Sequence, residues 1–79
     1  MRERDFIGVK ASLSKNLKFL RGKKRLAQER LALEAGVDRT VISKIERMVS
    51  NPSLEILVKL ATTLEVQVHE LLLDQPDHD

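Results

Sequence analysis

The stretch 28–47, QERLALEAGVDRTVISKIER, decides how this chain folds. Its first part puts Leu31 and Ala32 on the inner side of a short helix running from about Gln28 to Ala35. Gly36 follows, the residue type best suited to leave a helix through a left-handed conformation. Asp38 then offers its carboxylate as the N-cap of the next helix, which reaches about Arg47 and turns Ile42 and Ile45 inward. Ala32 is small where the two helices must cross closely.

Working outward, helical spacing continues on both sides, and β-strand signals are nearly absent. Upstream, Phe6, Val9, Leu13, Leu17 and Leu20 make one stripe of a first helix. It starts either after Asp5, a candidate N-cap, or only near Ser12, with Gly8 leaving the choice open. It should fray near Gly22, among Arg21, Lys23, Lys24 and Arg25, whose charges suit a helix C-terminus. Downstream, Met48–Pro52 reads as a loop. Ser53 caps a fourth helix that is apolar at Leu54, Ile56, Leu57, Val58, Leu60, Ala61 and Leu64. That spread is wider than one core-facing stripe of about 100°. The helix should therefore cover both its own core and a partner, with Leu57, Leu60, Leu64 and Leu72 expected at a homodimer interface. Val66, Val68 and Leu71–Leu73 form a short fifth helix, and residues 74–79 read as a disordered tail. The whole is one all-α, five-helix domain with residues 1–10 as an N-terminal extension.

Charge is distributed unevenly along the 79 residues. Residues 1–25 carry nine Lys or Arg against two acids, residues 26–50 four against four, and residues 51–79 one against six. A basic first half and an acidic last third suggest one side facing a polyanion and one facing elsewhere. Phe6 and Phe19 are the only aromatics, which disfavours base stacking on single strands; duplex binding needs none. The chain lacks cysteine, so thiolate metal sites and disulfides are excluded. No apolar run approaches the roughly 18 residues of a membrane span, and MRERDFIGVK has no signal-peptide core. A soluble, cytoplasmic protein is expected, without cofactor or metal.

Helix, glycine-containing turn and helix within these residues make the helix-turn-helix layout, whose second helix enters the major groove of DNA. Arg39, one position past the Asp38 cap, is then placed to bond guanine O6 and N7 with its planar fork. The plainer alternative is a surface arginine paired with Asp38 or a phosphate. Thr40, Ser43 and Lys44 share the outward side because Ile42 and Ile45 fix the inward one. Each is otherwise an ordinary exposed helix residue. Val41 is expected exposed, near a thymine methyl. Gln28 opens the preceding helix, whose positive N-terminal end should point at a phosphate. Arg47 and the amides near Asn51 are expected to clamp phosphates and set register without reading sequence.

Leu17 to Leu72, LKFLRGKKRLAQERLALEAGVDRTVISKIERMVSNPSLEILVKLATTLEVQVHELL, resembles the Cro/repressor-type (Xre-like) helix-turn-helix regulators. The correctly ordered pieces are Gln28, Ala32, Gly36, VISKIER and NPSLEILVKLA. Within that family VDRTVISKIER looks like the controller proteins of restriction–modification systems. The resemblance implies a lambda-repressor-like fold and a transcriptional regulator that binds a pseudo-palindromic operator as a homodimer, with RNA polymerase as a possible further partner. The alternative it leaves open is an antitoxin-type protein that binds a toxin and autoregulates its operon. It also implies a salt bridge between Arg21 and Glu46, and a buttressing role for Gln28. Three positions depart from the pattern: Ala27 where a Ser or Thr cap is usual, and Met48 and Glu65 where glycine is usual.

Catalysis has little footing. His69 and His78 lack metal-ligand spacing. Ser12-Leu13-Ser14-Lys15 matches SxxK without the other elements of that active site. The proline of Asn51-Pro52-Ser53 bars glycosylation.

Overall fold

The computed structural model describes residues 5–74, and these form five α-helices: α1 (Phe6–Lys23), α2 (Gln28–Ala35), α3 (Arg39–Glu46), α4 (Leu54–Leu64) and α5 (Val68–Leu72). No strand occurs among the described residues. The expected tail lies, but for Asp74, outside them. Asp5 settles where α1 begins, its Oδ1 accepting from the Gly8 amide at 2.8 Å.

The core is built from Leu13 and Leu17 of α1, Leu31 and Ala32 of α2, and Ile42 and Ile45 of α3. Leu57, Leu60, Ala61 and Leu64 of α4 and Leu71 of α5 complete it. The α1 stripe is shorter than its spacing predicts. Its buried side starts at Ser12, and Phe6 stays 56% exposed with the Lys10 ammonium 5.1 Å from its ring centre.

The α4 expectation needs correction. Leu57, Leu60 and Leu64, assigned from sequence to a dimer interface, are buried within the single chain, and Leu72 is half-buried against the same core. Spacings of three and four residues put all three α4 leucines on the inward side. The apolar surface that remains on α4 is Leu54 and Val58, one turn apart.

Four of the helices end in one kind of turn. The residue at the turn takes a left-handed φ: Arg25 (56°), Gly36 (72°), Met48 (63°) and Glu65 (61°). In each case the following amide reaches back five residues: Leu26 to Arg21, Val37 to Ala32, Val49 to Lys44, and Val66 to Ala61, all at 3.0 Å. This is the Schellman arrangement, which satisfies carbonyls the helix leaves unpaired. Only one of the four uses glycine. α1 does not fray at Gly22 but runs through it, and Arg25 makes the turn. The unusual Met48 and Glu65 thus occupy the strained positions that glycine would relax.

Candidate nucleic-acid interface

α3 owes its position to its inner and rear surfaces. Ile42 and Ile45 are buried to 0% and 2% exposure, and Glu46 at the last turn is buried to 6%. Around Glu46 three helices converge. Arg21 of α1 donates from Nε and Nη2 to the two carboxylate oxygens at 2.8 and 3.0 Å, and from Nη1 to the Leu26 carbonyl at 2.9 Å. Gln28 of α2 donates to Glu46 Oε1 at 3.0 Å. The Ser14 hydroxyl donates to the Glu46 carbonyl at 2.7 Å. The carboxylate accepting its bonds raises the pKa of the Arg21 guanidinium further above its ordinary value. The bidentate pair between Arg21 and Glu46 is therefore part of this structure, and Gln28 sits behind α3 rather than reaching outward with its side chain.

At the front of α3, Asp38 caps the helix. Its Oδ1 accepts from the Thr40 hydroxyl at 2.7 Å and from the Thr40 amide at 2.8 Å. These bonds hold the Asp38 carboxyl below its ordinary range. Arg39, Thr40, Lys44 and Arg47 are exposed and Ser43 is half-buried, so a continuous polar face looks away from the core. Along it Arg47 Nε donates to Ser43 Oγ at 3.1 Å. Asn51 is exposed in the loop beyond. Val41 departs from expectation. It is half-buried and packs against the core beside Ile42 and Ile45.

α2 contributes its N-terminus. Ala27 at the cap has no side chain to bond the first amides, which leaves those donors and the positive end of the helix for another acceptor. Two side chains beside it escaped sequence reasoning. Glu29 Oε1 accepts from Arg39 Nη1 at 3.0 Å, and Leu33 is 71% exposed next to the turn. The contact between Glu29 and Arg39 depends on the crossing angle of α2 and α3, for which ten residues of spacing give no signal. Ser14 and Asn16 were hidden for another reason, since polar residues inside an apolar stripe look like its solvent edge. Among the described residues no group of three or more His, Cys, Asp or Glu could hold a metal, and no helix is long and apolar enough to cross a membrane.

Comparison with known proteins places this geometry. The helix-turn-helix family HTH_3 matches residues 17–71, which span all of α2, α3 and α4. A hypothetical transcription factor from Neisseria meningitidis is 38% identical over 65 residues, 82% of this chain. The chain spans 61% of that relative's length. The structure of the restriction–modification controller protein C.AhdI from Aeromonas hydrophila superposes with a TM-score of 0.75 at 39% identity, covering 78% of this chain and 94% of that one. The controller protein C.Esp1396I, solved as a tetramer in complex with its natural 35-base-pair operator, superposes at 0.70 with 31% identity over 87% of this chain and 99% of that one. The all-α, five-helix fold is that of these controller proteins. By the family match over most of its length, and by its own Gln28–Glu46 geometry, the chain belongs to the helix-turn-helix family.

Proposed function

We propose that the chain is a sequence-specific, double-stranded-DNA-binding transcriptional regulator, of the controller type in restriction–modification systems, acting as a homodimer on a pseudo-palindromic operator. The observation that carries this reading is the division of α3. Ile42, Ile45 and Glu46 hold it from behind while Arg39, Thr40, Ser43, Lys44 and Arg47 face away from the core. Arg39 reads a guanine edge, Thr40, Ser43 and Lys44 contact bases or phosphates beside it, and Arg47 with the Asn51 loop grips the backbone. The uncapped start of α2, next to Gln28, receives a phosphate. C.Esp1396I bound to its operator supports the same use of the same fold.

A single half-site offers too few contacts for genomic specificity, so two copies hold their α3 helices roughly 34 Å apart. Leu54, Val58 and the end of α5 around Leu72 and Leu73 are the apolar surface available to a second copy. The protein works in the cytoplasm without catalysis. The sign of its effect follows from operator position: occluding a promoter represses, and sitting just upstream in reach of RNA polymerase activates. The antitoxin-type alternative finds no support among the relatives described above.

A salt titration tests the reading. Binding to duplex DNA should weaken linearly in log Kd against log[salt], with a slope of about 0.9 per phosphate neutralised. A flat response removes DNA from the account. Sedimentation of the wild type and of Val58→Lys tests the dimer, the variant being expected to run as a monomer.

A further inference from the structure

Arg39 does not stand alone on the outward face. Its Nη1 donates to Glu29 Oε1 at 3.0 Å, and the two side chains are 60% and 73% exposed. A pair so open to water adds little to stability. Its placement is unusual in another way. The groove between α2 and α3 is lined by Arg21, Arg30 and Arg39, with Glu29 the one acid among its lining residues; Arg21 and Arg30 bond Glu46 and Glu34 instead, which leaves Arg39 to Glu29. On a surface that is to meet phosphates, an acid weakens attraction everywhere. Helix-end electrostatics account for an acid in the first turn of α2 but not for its bond to the reading arginine.

Resting on the DNA-binding reading above, we propose that Glu29 is a positioning residue that sets the specificity of Arg39. A guanidinium has five N–H donors in a rigid plane. Glu29 takes one on Nη1, which leaves the Nε–Nη2 edge of the fork for guanine O6 and N7. The same bond restrains the long side chain from swinging to a phosphate, the contact that a free arginine makes on any sequence. Glu29 thus lowers affinity for random DNA more than for the operator, and it lowers the rotamer freedom Arg39 must lose when it reads a base.

The test uses the full chain. Wild type first selects a preferred duplex from a random pool. Fluorescence anisotropy then gives Kd on that duplex and on a scrambled one, for wild type, Glu29→Ala, Glu29→Gln, Arg39→Ala and the Glu29→Ala/Arg39→Ala double variant. Glu29→Ala should tighten scrambled binding more than selected binding, and the ratio of the two should fall about threefold, which is what an exposed ion pair can restrain. Glu29→Gln keeps an acceptor without the charge and should fall between. In the Arg39→Ala background, removing Glu29 should leave the ratio unchanged. If Glu29→Ala shifts both affinities by one common factor, the carboxylate merely repels phosphates and the proposal is overturned. It is overturned equally if the ratio falls just as far without Arg39. Should the wild type show no salt-dependent duplex binding, the functional reading fails first and takes this inference with it, an outcome distinct from the other two.

Discussion

Asn16, midway along α1, donates from Nδ2 to the carbonyl oxygens of both Leu71 and Leu73, at 2.9 and 2.8 Å. One buried amide thereby satisfies two acceptors at the end of α5, where the helix itself supplies no donor. α5 has only five residues and is too short to persist alone. Its attachment rests on this amide, on Leu71 in the core, and on Val68 and Leu72 packed against it. Asn16→Leu should cost about 2 kcal/mol by leaving both carbonyls without a donor. Urea denaturation reads the loss, and hydrogen exchange should quicken first in α5.

The carboxylate of Glu46 takes bonds from α1 and α2 together, so its removal loosens three helices at once. Breaking a buried pair costs about 3–5 kcal/mol; with Arg21 partly in solvent, Glu46→Ala should fall near the lower figure, about 3 kcal/mol. Operator affinity should drop with it even though Glu46 faces away from the polar side of α3. Chemical denaturation and anisotropy on the same preparations check both expectations, and unchanged stability would dissolve the proposed anchor.

Arg25 holds a left-handed φ of 56° that a glycine would adopt without strain. Left-handed backbone costs a residue with a Cβ roughly 1–2 kcal/mol. Arg25→Gly should therefore stabilise the fold by about 1 kcal/mol, seen as a higher thermal midpoint. A lower midpoint would mean that the guanidinium itself supports the turn.

Acid should weaken the start of α3. Asp38 titrates in the folded chain below its ordinary 3.8, with the bonds from Thr40 as the cause. The stabilisation it gives is fully present above that ordinary value and is lost as pH falls through the lower folded one. Glu65, drawn down by Lys24, acts in the same direction. Asp38→Asn retains a capping oxygen that does not titrate. Its denaturation midpoint should decline less than that of the wild type between about pH 5 and about pH 2.

On DNA, Arg39 and Arg47 should separate cleanly. Arg39→Ala is expected to cut discrimination between selected and scrambled duplexes about tenfold, leaving the part owed to Thr40, Ser43 and Lys44, while weak general affinity persists. Arg47→Ala should weaken both alike and reduce the salt slope by about 1. Equal losses on both duplexes for Arg39→Ala would refute its reading role.

Most of the fold was legible in the sequence because its signals are local. Leu31 and Ala32, Gly36, the Asp38 cap and the Ser53 cap each announce themselves within a few residues, and the structure places them where spacing puts them. Three of the turns were harder to see. Arg25, Met48 and Glu65 do the work of glycine, and the surviving clue is the apolar residue after each, of which Leu26 and Val66 pack on the core. Leu57, Leu60 and Leu64 were misplaced because a helix with apolar residues on two sides does not say which side its own core will take. The outward face of α3 followed from Ile42 and Ile45 alone. Glu29, Ser14 and Asn16 act across 10, 32 and 55 or more residues, and pattern reading has no access to contacts of that range.

The side-chain bonds that tie α3 to other helices gather at its Glu46 end, whereas among the described residues the Arg39 end rests on its own cap, on the packing of Val37, Val41 and Ile42, and on one exposed carboxylate. Mechanically the helix is a cantilever, clamped at the foot and bare at the tip. Exchanging Arg39 or Lys44 alters what the outward face touches while leaving the Glu46 clamp and the buried isoleucines in place. If α3 reads DNA as proposed, a new target sequence is therefore reachable through a few codon changes, without retuning the frame that carries them.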